Sequence, residues 1–206
     1  MKDNNLKELL ELAVRASEEA CTAILEVYNS NNFETELKGD NSPLTLADKK
    51  SHEVIERHLK PTGIPILSEE GKDIPYETRK NWNRLWLVNI ALIENQQPVL
   101  GVVAVPVTGE VFYGGKGFGV YKKVAGHQSP VTRTEPLATG NRQLATRVVA
   151  SRSHMNDETK AFIEKLGKTE IISAGSSLKF MLLAEGKADI YPRFGPTMEW
   201  DTAAAH

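Results

Sequence analysis

A single cysteine, Cys21, stands in 206 residues. It has no partner for a disulfide within the chain, which excludes a cross-linked secreted scaffold and fits a reducing, cytoplasmic setting. Long apolar runs are missing as well. No stretch approaches the roughly 18 residues that a membrane span needs, and peripheral membrane contact is not readable. Excess charge of either sign is also missing: Lys plus Arg number 25 against 27 Asp plus Glu, a net charge of −2. That excludes a general field for a nucleic acid polymer and makes any recognition of anions local. The opening Met1-Lys2-Asp3-Asn4-Asn5 is polar and leads straight into an amphipathic pattern, unlike a signal peptide. What is present is 40% hydrophobic residues, enough to bury a core in one or two domains.

Leu6, Leu9, Leu10, Ala13, Ala16, Ala20, Ile24 and Tyr28 recur at three and four, which predicts one long opening helix. A short extended piece over 33–37 turns at Gly39-Asp40-Asn41-Ser42-Pro43. A second helix over 46–59 buries Val54, Ile55 and Leu59 and stops at Pro61 and Gly63. Ile64 to Leu67 reads as a short buried strand entering Ser68-Glu69-Glu70. Strands are predicted over 86–93, 99–105 and 110–113, with turns at Asn95-Gln96-Gln97-Pro98 and Pro106-Val107-Thr108-Gly109. The rhythm then alternates strand and helix: 147–150, 158–166, 170–173, 176–185 and 188–191. That alternation argues sheets covered by helices. An N-terminal part, residues 1–125, would hold helices and an antiparallel sheet, and an α/β part would occupy 126–206.

Several motifs could carry chemistry. The closing Tyr191-Pro192-Arg193-Phe194-Gly195-Pro196-Thr197-Met198-Glu199-Trp200-Asp201-Thr202 places Asp201 as an N-cap before an Ala run. Arg193 nearby suggests a metal and phosphate site there. Thr45-Leu46-Ala47-Asp48 has capping-box spacing, so structural capping is a sufficient account of Asp48. Glu69 and Glu70 follow a buried strand, where paired carboxylates are costly unless a hard divalent ion with oxygen ligands balances them. Gly114-Gly115-Lys116-Gly117-Phe118-Gly119 lacks the spacing of a phosphate loop and reads as a tight turn. His154 follows a predicted strand end, where ligand loops of α/β proteins sit. Gly175-Ser176-Ser177-Leu178-Lys179 opens a helix with hydroxyls and a Lys, a suitable cradle for phosphate.

Taken together these segments resemble the inositol monophosphatase superfamily and, within it, the bacterial 3′(2′),5′-bisphosphate nucleotidases. The resemblance rests on Asn41-Ser42-Pro43-Leu44-Thr45-Leu46-Ala47-Asp48, Pro65-Ile66-Leu67-Ser68-Glu69-Glu70, Trp86-Leu87-Val88, Asn89-Ile90-Ala91-Leu92-Ile93, Gly101-Val102-Val103, Ser151-Arg152-Ser153-His154, Gly175 to Phe180 and Tyr191 to Thr197. It implies a layered αβαβα sandwich of mixed α+β and α/β character. It implies a phosphatase that takes the 3′-phosphate from 3′-phosphoadenosine 5′-phosphate, needs Mg²⁺, is inhibited by Li⁺ and clears a by-product of sulfate assimilation. By resemblance, Glu69 and Asp201 would ligate metal, and Asp48 would lie near the attacking water and an additional metal. His154, Ser176, Lys179 and Arg193 would hold the nucleotide bisphosphate substrate.

The departures are as informative. In the superfamily Trp-Leu-Val leads into Asp-Pro-Leu-Asp-Gly-Thr and a dozen further residues before Asn-Ile-Ala-Leu-Ile; here Val88 meets Asn89 directly. The absent stretch carries two metal-ligating aspartates and a water-activating threonine. Two carboxylates alone are a poor basis for a two-metal site. An omitted loop is the favoured account, because deleting a strand end would break the sheet, and it predicts Val88 and Asn89 far more than about 3.8 Å apart. True shortening would leave family membership and the nucleotide-holding residues. The alternatives are therefore an inositol or sugar phosphatase, or a catalytically impaired nucleotide-binding relative.

Overall fold

The structure, a computed structural model, describes residues 5–30, 35–37, 43–71, 74–131, 145–150 and 155–206. Helix α1 (Leu6–Ser30) buries Leu9, Leu10, Ala13, Ala16, Ala20 and Val27. The small alanines let it lie close to α2 (Leu46–Leu59), which adds Ile55 and Leu59 to the same core. Tyr28, placed on the apolar stripe by spacing alone, is exposed, and the stripe ends at Val27. Two short strands, β1 (Glu36–Leu37) and β2 (Pro43–Leu44), pair antiparallel ahead of α2.

The main sheet has seven strands in chain order. They are β3 (Ile66–Ser68), β4 (Arg84–Val88), β5 (Ala91–Glu94), β6 (Gln97–Val105), β7 (Glu110–Gly115), β8 (Gly119–Val124) and β9 (His127–Pro130). Only β3 and β4 run parallel; the other neighbours are antiparallel. Period-two alternation divides the side chains between its faces. Trp86, Leu92, Leu100, Val102 and Val111 face α1 and α2. Leu87, Ala91, Ile93, Val103 and Phe112 face the other way, towards the C-terminal part of the chain. Trp86 is fully buried, and its indole N–H donates to Thr62 Oγ1 at 3.2 Å.

The single strand predicted over 86–93 is two strands. β4 and β5 pair in register from Arg84 with Glu94 to Leu87 with Ala91, leaving a tight turn around Asn89 and Ile90. In this chain Val88 at the end of β4 leads directly into Asn89. The sheet survives the short connection because these strands are antiparallel neighbours, which a hairpin can join. Asn95 and Gln96, with φ of 48° and 65°, turn β5 into β6. Residues 116–118 form the turn expected between Gly115 and Gly119.

Beyond the sheet, β10 (Thr146–Ala150) and β11 (Thr169–Ser173) pair parallel around α4 (Asp157–Lys165). The strand expected over 188–191 is reduced to one parallel bridge from Ile190 to Val148. Arg147 anchors it, donating from its backbone N–H, Nε and Nη2 to the buried Asp189 carboxylate at 2.9–3.1 Å. Helix α5 (Leu178–Ala184) places Met181 against Val103 and Phe112. A short α6 (Glu199–Thr202) and the turn Ala203–Ala205 close the chain on the same sheet face. Helices, mixed sheet, helices and a second sheet thus stack as layers, in agreement with the expected sandwich. The short α3 (Tyr76–Arg79), which spacing did not reveal, pairs Arg79 Nη1 with Glu199 at 2.9 Å.

Candidate active site

A cleft of about 520 Å³ opens between α5 and the closing segment. Ser176, Ser177, Lys179, Tyr191, Arg193 and Asp201 line it. The fold thus brings together three residues expected to hold substrate, Ser176, Lys179 and Arg193, with Asp201, expected to ligate metal. His154 lies outside the described residues.

Lys179 is the unusual member. Its side chain is buried, 6% exposed, on the first turn of α5. Its ammonium lies 3.5 Å from the Ala174 carbonyl and 5.4 Å from the centre of the Tyr191 ring. Among the described residues no carboxylate pairs with it. Burial is the main cause that pushes its pKa below the usual lysine value, and the Arg193 guanidinium adds to it. Arg193 is exposed and donates from Nη2 to the Pro196 carbonyl at 3.0 Å. Two cations over one cleft, one of them desolvated, favour a multiply charged anion.

The helix expected to open at Ser176 begins at Leu178 and is only seven residues long. Ser176 sits before it in a left-handed conformation, φ 44°. The attraction for anions therefore comes from the Lys179 and Arg193 side chains. Asp201 is also shifted from the expected cap: Met198 occupies the N-cap, and Asp201, three residues on, accepts from the Met198 N–H at 3.3 Å. One Asp201 oxygen is thus engaged locally, with Thr197 Oγ1 also 3.5 Å away.

Asp48 and Glu69 do not line this cleft. Asp48 completes the capping box of α2, accepting from the Thr45 N–H at 2.8 Å and the Thr45 hydroxyl at 2.7 Å. Glu69 is exposed where the chain leaves β3, and Glu70 is half-buried. The strand buries Leu67 and Ser68 and then surfaces at Glu69, so that carboxylate reaches solvent. Asn89, which no motif marked as functional, ties the β4 end to the cleft wall. Its side-chain amide donates to the Trp200 carbonyl at 3.2 Å and lies 3.5 Å from Ser177 Oγ. β3 and β4 are parallel with Ser68 opposite Val88, so Glu69 and Asn89 leave the sheet along the same edge.

Among the described residues no group of three or more His, Cys, Asp or Glu could hold a metal ion. The donor set does not fit a preformed two-metal cage. A hard divalent ion held by only one or two carboxylates completes its shell with phosphate and water.

Comparison with known proteins places this arrangement. Residues 86–206 match the inositol monophosphatase family. Across 96% of its length the chain is 40% identical to a Salmonella typhimurium protein named 3′(2′),5′-bisphosphate nucleotidase CysQ, of which it covers 85%. This chain belongs to the inositol monophosphatase family. The CysQ nucleotidase of Escherichia coli K12 is 38% identical over the same shares of the two chains. These relatives are enzymes, phosphatases by name. The crystal structure of CysQ from Bacteroides thetaiotaomicron, described as a bacterial member of this family, is 39% identical with a TM-score of 0.78. It covers 98% of this chain and 86% of that one. A staphylococcal inositol monophosphatase complexed with products, 16% identical, shares the fold at a TM-score of 0.76 over 98% of this chain and 80% of that one. The Salmonella alignment spans 223 positions, more than the 206 residues of this chain, so the relative has residues inside the span that this chain lacks.

Proposed function

We propose that this site serves a Mg²⁺-dependent phosphatase acting on the 3′-phosphate of 3′-phosphoadenosine 5′-phosphate, in the cytoplasm, to give AMP and phosphate. The observation that carries the reading is the buried Lys179, with no carboxylate partner among the described residues, beside Arg193 in a cleft of nucleotide size. Lys179 and Arg193 take the phosphate that is not cleaved, with Ser176 and His154 completing its hold. The substrate is then fixed by its spectator phosphate, so that the 3′-ester is presented to water in one orientation. Water displaces the 3′-oxygen at phosphorus, the P–O ester bond breaks, and the leaving oxygen takes a proton.

Glu69 and Asp201 are the residues assigned to Mg²⁺. When bound, the ion activates water and neutralises charge on the phosphoryl oxygens. Asp48 is assigned a place near the attacking water, beside its role in capping α2. Phosphate release from 3′-phosphoadenosine 5′-phosphate with Mg²⁺, compared with inositol 1-phosphate, tests the assignment. Preference for inositol 1-phosphate would refute the roles of Lys179 and Arg193.

A second reading has its own observation. Val88 joins Asn89 without the superfamily's acidic loop, and no metal cluster is present among the described residues. In that reading the chain binds the nucleotide but turns it over poorly. Tight binding by calorimetry without Mg²⁺, with no phosphate released, would select it.

A further inference from the structure

Two polar side chains outside the cleft have no role in this account. Ser68 is the last residue of β3, 7% exposed, and its hydroxyl lies 3.2 Å from His52 Nδ1 on α2. The other ring nitrogen of His52, Nε2, is 3.7 Å from Glu56 Oε1, one helical turn on. Glu56 in turn receives Lys60 Nζ at 2.6 Å. With a carboxylate on the Nε2 side, the proton belongs on Nε2, so Nδ1 accepts the Ser68 O–H. That tautomer is an assignment from the network.

The location gives the pair its meaning. Ser68 immediately precedes Glu69, and the turn is closed by the Gly71 N–H donating to the Ser68 carbonyl at 3.3 Å. His52 is one turn after Asp48, so both project from the same side of α2. Gly71 is required for space: a Cβ there would come within 2.9 Å of Ser68 Oγ and 3.4 Å of its carbonyl oxygen. Its φ is not in the left-handed region, so the requirement is steric.

We propose that His52 and Ser68 form a latch between α2 and the 68–71 turn, and that it holds Glu69 in register with the Asp48 end of the helix. His52 is a positioning residue: it touches neither substrate nor metal and acts through the Ser68 hydroxyl. The proposal rests on the reading of Glu69 as a metal-holding carboxylate.

The test uses the whole chain with His52→Ala, Ser68→Ala, the double variant, His52→Asn and Gly71→Ala. Asn keeps a hydrogen-bonding group near the position of Nδ1. Gly71→Ala displaces the Ser68 hydroxyl without altering either partner. Amide exchange at Gly71 is expected to quicken roughly five- to ten-fold in His52→Ala and in Ser68→Ala, the loss of one hydrogen bond of this kind. The double variant should exceed neither, His52→Asn should recover most of the protection, and Gly71→Ala should match Ser68→Ala. Exchange at Trp86 and Leu87 in β4 should stay at the wild-type rate, which separates a local latch from general destabilisation. Mn²⁺ titration should show weaker binding in the same three single variants that loosen the turn. Independent, additive effects of His52→Ala and Ser68→Ala, or a loosened turn with unchanged Mn²⁺ affinity, would overturn the proposal. A wild-type chain that binds no Mn²⁺ would overturn the reading of Glu69, and the exchange pattern would then decide the latch by itself.

Discussion

At the level of single residues, the site divides between what spacing reveals and what only packing reveals. Lys179, Arg193 and Ser176 were visible as basic and hydroxyl residues in two short motifs, and the fold gathers them in one cleft. That Lys179 is buried with no carboxylate partner among the described residues was not visible, because it depends on Tyr191 arriving from the bridge to β10. A depressed lysine pKa has a definite sign. Between the lowered folded value and the usual lysine value, the unfolded chain holds a proton that the folded chain lacks, so stability rises with pH there. Below that window the buried charge works against the fold. A bound anion reverses the balance by favouring the protonated form. Affinity for AMP is therefore expected to fall as pH climbs through a range beginning below the ordinary lysine value. In Lys179→Arg, whose guanidinium does not titrate, any binding that remains should stay flat over that range. Lys179→Met should bind AMP at least about ten-fold more weakly, the loss of one charge-assisted contact, while melting no lower than the wild type. Calorimetry from pH 7 upward reads both effects, and a Lys179→Met variant that binds normally would remove Lys179 from the site.

Among the elements, helices α1 and α2 and the β5–β6 and β6–β7 turns were legible because period and turn chemistry are local signals. The division of 86–93 into β4 and β5 was not. The run Trp86-Leu87-Val88-Asn89-Ile90-Ala91-Leu92-Ile93 is apolar throughout except for Asn89, and a lone Asn is a weak mark for a turn. The same hairpin decides how the chain tolerates lacking the superfamily's acidic loop. Its turn lies where Asn89 touches Trp200 and Ser177, at the edge from which Glu69 also departs. Loop-closure entropy grows slowly with length, so a longer connection between paired strands costs little. Inserting a segment with the superfamily's Asp-Pro-Leu-Asp-Gly-Thr between Val88 and Asn89 is expected to leave the fold intact by circular dichroism. It should also strengthen Mg²⁺ binding and raise phosphate release from 3′-phosphoadenosine 5′-phosphate. Unchanged metal affinity in a folded insertion variant would separate this edge of the sheet from the metal site.

For the whole molecule, the C-terminal segment fastens the α/β part to the main sheet. Lys122 contributes by gripping Glu110 at 2.5 Å and Glu185, after α5, at 2.8 Å. Trp200, Ala203, Ala204 and Ala205 pack on the face formed by Leu87, Ala91, Val103 and Phe112. Their approach depends on Gly101, whose added Cβ would stand 2.1 Å from the Ala204 carbonyl oxygen and 2.9 Å from its carbon. Those are backbone atoms, so relief requires the segment to move. Gly101→Ala is expected to cost about 1–3 kcal/mol, as overpacking does, with the melting temperature falling by roughly 2–4 °C for each kcal/mol in a chain of this size. Asp201 and Thr202 line the cleft and directly precede the displaced residues, so nucleotide affinity should fall with the stability. Val103→Ala supplies the comparison: it removes packing from the same face but pushes nothing against Ala204, and it should lower the melting temperature with little effect on binding. If Gly101→Ala loses stability and binds the nucleotide as tightly as Val103→Ala, the docked segment holds the sheet and the α/β part together without positioning the cleft.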